Sequence, residues 1–250
     1  MSNHLRQIES FVALFDILGF KDLVRKSEIS KVATTYEKMK ADFAKYAGMI
    51  SRVSHSKVVT RCFSDTFLLY TTEASDASFR ALFMACQFLY LAALASRIYL
   101  RGAITCGGLT VSEDIEIGPA IVEAYECEQQ QDWMGCWITE SCITAVSDMN
   151  RYLEEKSIVR YPIPLKSGVV EEKYTFNWIY LFVVLDSSLS GQPGDRKDRI
   201  AAFGRSMSKW DSSTWESKRK LENTRHFLKV ITSPQFVDRY DFERSRRANL

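Results

Sequence analysis

Apolar positions run unbroken from Phe11 to Phe15 and stop at Asp16. Five consecutive apolar residues predict a strand covered on both faces. Gly19 marks a tight turn. Over 21–49, Leu23, Val24, Val32, Tyr36, Met39 and Phe43 recur at roughly helical spacing among Lys and Glu, which predicts one or two helices. Val53, Val58 and Val59 alternate into a strand reaching Cys62, Phe63 to Thr66 form a hairpin turn, and Phe67 to Tyr70 return. A capped helix is predicted over 75–97, a strand over 98–106, a turn at Gly107-Gly108 and a short strand over 109–112. Gly118-Pro119 opens a helix over 120–131. A short strand over 136–139 and a helix to Leu153 follow.

The order up to Ser112 is β-α-β-β-α-β. That predicts an α+β, ferredoxin-like core, mostly antiparallel, with helices on one face. From Tyr161 the pattern changes. Pro162 and Pro164 punctuate it, residues 178–185 read as a strand and residues 190–194 as a loop. Two helices follow, the second entered by a capping box at Ser213-Thr-Trp-Glu216 and ending near Ile231. No linker stands out, so residues 1–155 are read as the core and 156–250 as a C-terminal elaboration packed on the same domain.

Composition narrows the function. The 250 residues are 46% hydrophobic and 26% charged, as in an ordinary globular chain. Lys and Arg number 33 against 31 Asp and Glu, a net charge of +2, too even for a general nucleic-acid binder. The six cysteines form no CxxC pair and mostly sit in apolar runs, which predicts reduced, buried thiols in a cytoplasmic protein. The first nine residues are polar and are not read as a signal peptide. The apolar stretch 79–100 carries Arg80, Gln87 and Arg97, which favours a buried helix over membrane insertion. His4, His55 and His226 are scattered, and the five tryptophans read as core or interface. The arginines at 239, 244, 246 and 247 read as a solvated face.

Two features carry candidate chemistry. One is the apolar strand running into Phe15-Asp16-Ile17-Leu18-Gly19-Phe20, and the other is Phe63-Ser64-Asp65 at a hairpin. In a split-βαβ fold the first strand and this hairpin are neighbours, which sets Asp16 beside Asp65. Adjacent carboxylates repel unless a cation lies between them. With no His or Cys nearby, oxygen ligands favour Mg²⁺ or Mn²⁺. The turn at 17–20 opens a helix, where free amides can hold a triphosphate. Taken singly, Asp16 also fits a helix N-cap and Asp65 a turn residue.

These residues resemble the catalytic domain of class III nucleotidyl cyclases. Asp16-Ile-Leu-Gly-Phe20 is similar to their first metal motif and Ser64-Asp65 to their second. Arg101-Gly102 to Gly107 and Gly118-Pro-Ala-Ile-Val-Glu-Ala are similar to a later strand and helix. Phe-Ser-Asp, Arg-Gly-Ala-Ile-Thr and Gly-Pro-Ala, with the long C-terminal elaboration, look most like the Pycsar pyrimidine cyclases of bacterial antiphage defence. The resemblance implies a homodimer with sites at its interface and two Mn²⁺ or Mg²⁺ ions held by Asp16, Asp65 and the Ile17 carbonyl. It also implies phosphates cradled by the Leu18, Gly19 and Phe20 amides. UTP is the expected substrate and cyclic UMP the product, acting on a separate effector. CTP is the alternative substrate, and a catalytically silent nucleotide sensor the alternative class.

Two departures from the family pattern matter. Where adenylate cyclases read the base with lysine, four residues before the second aspartate, this chain has Arg61. Its guanidinium can donate two hydrogen bonds to uracil carbonyls, or be an ion-paired strand residue. The Asn and Arg on the later helix are replaced by Val122 and Glu126. Arg101 opens its strand and can reach phosphate or serve as a structural charge partner.

Overall fold

The computed structural model describes residues 5–54, 56–180 and 215–233. It divides into two compact units. The first contains the described residues up to Gln131 together with Cys136–Asp148, and the second contains Asp132–Gly135 and the described residues from Met149 onward.

In the first unit the elements are β1 (Arg6–Ile17), α1 (Phe20–Lys26), α2 (Ile29–Ser54), β2 (Val58–Phe63), β3 (Thr66–Thr71), α3 (Asp76–Ala95), β4 (Leu100–Val111), β5 (Glu116–Ile117), α4 (Pro119–Gln130), β6 (Cys136–Ile138) and α5 (Glu140–Ala145). The strands lie in the order β2-β3-β1-β4-β6, with β5 folded back on β4. β1 is antiparallel to both β3 and β4, and β6 runs parallel to β4. This is the α+β, ferredoxin-like arrangement, extended past β4.

β1 explains why the sheet is covered on both sides. Side chains alternate across a strand. Phe11 and Phe15 meet Phe79 and Tyr90 of α3 at ring-centroid distances of 5.2 and 5.4 Å. Val12 and Leu14 point the other way, into clusters with Ala120 and with Ala124 and Cys127 of α4. The helices therefore flank the sheet on both faces, a correction to the one-face expectation. α3 is long and apolar enough to cross a membrane, yet 78% of that window is buried within the chain. It is capped by Ser75, whose hydroxyl accepts from the Ser78 amide at 3.2 Å.

Gly107 and Gly108 do not turn the chain. β4 runs straight through them, paired with Ser10 and Glu9 of β1. A Cβ on Gly107 would sit in ordinary contact with that of Ala120 at 3.6 Å. The close approach of α4 falls instead on Gly118, where a Cβ would meet the Gly108 carbonyl at 2.3 Å. Gly102 is equally constrained, since the Phe15 ring lies 2.1 Å from where its Cβ would be.

The second unit holds α6 (Met149–Glu154), β7 (Ile158–Pro164), β8 (Val170–Phe176) and α7 (Trp215–Ile231). β7 and β8 pair as an antiparallel hairpin, which the prolines had hidden. Among the described residues β7 ends the strand order, and an edge strand tolerates Pro162 and Pro164. Trp133 and Tyr161 stack at 5.2 Å, with Phe227 of α7 edge-on to both. The expected helix to Leu153 is two short ones, α5 and α6. Residues 178–180 are not in a strand, with Trp178 and Ile179 forming a turn, and residues 181–185 of the strand expected over 178–185 lie outside the described residues, as do Trp210 and the arginines at 239, 244, 246 and 247.

Candidate active site

The sheet register assembles the site. Asp16 pairs with Thr66 on one side and Arg101 on the other, and Thr66 pairs with Phe63. Phe63, Thr66, Asp16 and Arg101 thus form one row across the sheet, on the face that α4 covers. The β2–β3 turn is Ser64-Asp65. Ser64 takes φ 53°, a left-handed conformation that costs a non-glycine residue on the order of 1–3 kcal/mol. Two hydrogen bonds hold the turn there. The Tyr36 hydroxyl donates to the Ser64 carbonyl at 2.9 Å, and the Ile17 amide to the Asp65 carbonyl at 3.0 Å. The second clamps the hairpin to the end of β1, beside Asp16.

Asp16 is largely buried, and its carboxyl is pushed up from 3.8 to about 7. Burial is the main cause. The Glu128 and Asp65 carboxylates add to it, against a smaller lowering by Arg101. A carboxylate so placed is short of positive charge. Two carboxylates without imidazole or thiolate fit a hard divalent ion whose other positions go to water and phosphate. Among the described residues no group of three or more His, Cys, Asp or Glu makes an all-protein cage.

The Arg101 guanidinium is turned inward. Nε donates to Glu128 Oε1 at 2.5 Å, Nη1 to the Gln131 carbonyl at 3.0 Å, and Nη2 pairs with Glu128 while lying 3.7 Å from Asp16 Oδ2. Of the two readings of Arg101, this geometry is that of the structural charge partner. Its partner Glu128 was not singled out from sequence, although a signal was there. Ala120, Ala124 and Glu128 recur every four residues on the buried stripe of α4, and a charge on such a stripe demands a partner.

The Leu18 amide is not available to a phosphate, because it donates to the Tyr99 carbonyl at 2.9 Å. This corrects the three-amide cradle expected at the turn. Gly19, with φ 74°, precedes α1 without a side-chain cap. Arg61 is half exposed on β2, on the same sheet face as Asp16. Nε donates to Glu116 at 2.7 Å and Nη2 to the Glu113 carbonyl at 3.2 Å. Val122 and Glu126 lie on the exposed face of α4. All six cysteines are free, four of them buried.

No protein-family model matches the chain, and no curated protein matches it. Among solved structures it is similar to the catalytic core of a rhodopsin-guanylyl cyclase with converted specificity in complex with ATPαS. That likeness has a TM-score of 0.51 at 15% identity and covers 70% of this chain and 98% of that one. The fold is that of class III cyclase catalytic domains. The guanylate cyclase domain of RhGC from Catenaria anguillulae, in complex with GTP, gives a TM-score of 0.49 at 14% identity, covering 69% and 98% of the two chains. The adenylyl cyclase CyaB from P. aeruginosa gives 0.49 at 14%, covering 69% and 95%.

Proposed function

We propose that this chain is a divalent-metal-dependent nucleotidyl cyclase and, more narrowly, a uridylate cyclase. The observation that carries the reading is the pair Asp16 and Asp65, clamped side by side at the end of β1 on a cyclase-type sheet. The 3′-oxygen of a bound nucleoside triphosphate attacks its own α-phosphorus. The bond from that phosphorus to the bridging oxygen breaks, pyrophosphate leaves and the hydroxyl proton passes to solvent. Asp16, Asp65 and the Ile17 carbonyl are the residues to hold two Mn²⁺ or Mg²⁺ ions. Bound there, such ions supply the positive charge that acidifies the hydroxyl and offsets the charge on the leaving phosphate. The amides of Gly19 and Phe20 orient the β- and γ-phosphates.

Base choice rests on Arg61 and on the missing Asn and Arg of α4. A guanidinium in place of lysine matches the two carbonyl acceptors of uracil, and its bond to Glu116 fixes where it points. Val122 and Glu126 offer neither the ribose contact nor the cation of purine cyclases. By the same resemblance the chain works in the cytoplasm as a homodimer, each site taking Asp16 and Asp65 from one protomer and Arg61 from its partner. The cyclic nucleotide then acts on a separate effector in antiphage defence.

The test is incubation with each of the four nucleoside triphosphates and Mn²⁺, with products separated by chromatography. Cyclic UMP and pyrophosphate are expected. Cyclic CMP alone would move the assignment to a cytidylate cyclase, and a cyclic purine would overturn the pyrimidine reading. Nucleotide binding without any product would make the chain a silent sensor, the reading that Glu126 in a cationic position favours.

A further inference from the structure

Beneath the two aspartates lies a polar group that the proposed chemistry does not use. Arg101 and Glu128 are 5% and 1% exposed at their side chains. Burying an ion pair is costly and adds little net stability over an apolar replacement, so cohesion alone does not account for this one. This pair is also closely built. Gln131 accepts from Arg101 through its carbonyl while its side-chain amide donates to the Gly102 and Cys127 carbonyls at 2.8 and 2.9 Å. Gln129 donates to the second oxygen of Glu128 at 2.6 Å. Both partners are thereby fixed in place.

The position of the pair matters as much as its burial. Arg101 faces Asp16 directly across the β1–β4 ladder. Two acids compete for its guanidinium. Glu128 makes the short contacts, and Asp16 stands 3.7 Å away. With Glu128 in place, the Asp16 carboxylate keeps its oxygens for a ligand on the Asp65 side. Without it, the guanidinium would be balanced by Asp16 alone.

We propose that Arg101 and Glu128 are a positioning pair that sets the divalent-ion affinity of the site: Glu128 holds the Arg101 charge back from Asp16 and leaves that carboxylate free to bind the ion with Asp65. This deepens the cyclase reading and rests on it. Neither residue touches substrate. The pair acts through the orientation and charge of Asp16, as partners behind a metal ligand do in general.

The experiment is a titration of the full-length protein with Mn²⁺ alone, free Mn²⁺ being read by electron paramagnetic resonance and folding by circular dichroism. Glu128→Gln should weaken Mn²⁺ binding about tenfold, the lower range for loss of a ligand's supporting partner. The double variant Glu128→Gln with Arg101→Gln removes both charges and should return the affinity to within about threefold of wild type. Where Glu128→Gln fails to fold, Glu128→Asp keeps the charge but draws the carboxylate back from Arg101, and should weaken binding in the same direction. A pair that only stabilises the fold would leave the Mn²⁺ affinity of all folded variants unchanged, and that result overturns the proposal. So does a double variant as weak as the single one. Asp65→Asn separates the two levels. If wild type and Asp65→Asn bind Mn²⁺ alike, the two-carboxylate site itself fails. If Asp65→Asn loses binding while the Glu128 variants match wild type, only the positioning pair fails.

Discussion

The two faces of β1 are built for different tasks from one alternating sequence. On the α3 side, Phe11, Ala13 and Phe15 are fully buried, and Phe11 and Phe15 meet the rings of Phe79 and Tyr90. On the α4 side, Val12 packs with Tyr70, Leu109 and Ala120 and Leu14 with Ala103, Ala124 and Cys127, and beyond them stand Asp16, Arg101 and Glu128. The dry face supplies cohesion through buried apolar area. The wet face gives up part of that cohesion to hold charges where a cation and a phosphate chain can reach them. A single step of register separates the two tasks, so substitutions at adjacent positions of β1 should fail in different ways.

Phe15→Ala should show the largest loss of stability. It empties the contact with Tyr90 and should cost about 3–5 kcal/mol in urea denaturation. A cost below about 1 kcal/mol would mean that the α3 face is not the cohesive one. Gly102→Ala tests the same face from the neighbouring strand. Its methyl has no room beside the Phe15 ring, and a loss of about 1–3 kcal/mol is expected by the same measurement.

On the wet face the effects should appear in activity. Asp65→Asn and Arg61→Ala homodimers should each be impaired. When the two variants are co-expressed with different tags, one site of the mixed dimer inherits both changes and the other neither. The doubly tagged species should recover about half of wild-type activity if the sites act independently. No recovery would mean that each protomer builds its site alone or that Arg61 lies outside it.

The last effect concerns pH in the metal-free protein. The folded chain holds the Asp16 proton up to about 7, against 3.8 for an ordinary aspartate. Between those values the folded state binds more protons than the unfolded one, so stability should fall as pH rises through that window. Asp16→Asn should remove this slope. Urea denaturation at about pH 5 and about pH 8 reads the difference, and equal pH dependence of the variant and wild type would contradict the assigned environment.

Much of this contrast was legible before the fold. The run Phe11 to Phe15 announced a doubly covered strand, and the Phe63 to Thr66 turn announced the hairpin that carries Asp65. Ser75 marked the start of α3. What stayed hidden depended on contacts distant in sequence. Gly107-Gly108 has the composition of a turn, but pairing with Ser10 and Glu9 of β1 keeps it extended, and no local pattern records that pairing. Pro162 and Pro164 argued against a strand because their edge position was not visible. Arg101 could not be read correctly without Glu128, which lies on a different element and meets it only once α4 packs on β4. The Leu18 amide could be placed only after Tyr99 was seen beside it.

The most direct test of the central claim is the turnover of purified Asp65→Asn in saturating Mn²⁺ with its preferred nucleoside triphosphate, beside a circular dichroism spectrum of the same sample. The account predicts a folded protein with nearly all cyclic-nucleotide formation gone, because one of the two carboxylates that hold the ions has become neutral. A folded variant that turns over at close to the wild-type rate would contradict it.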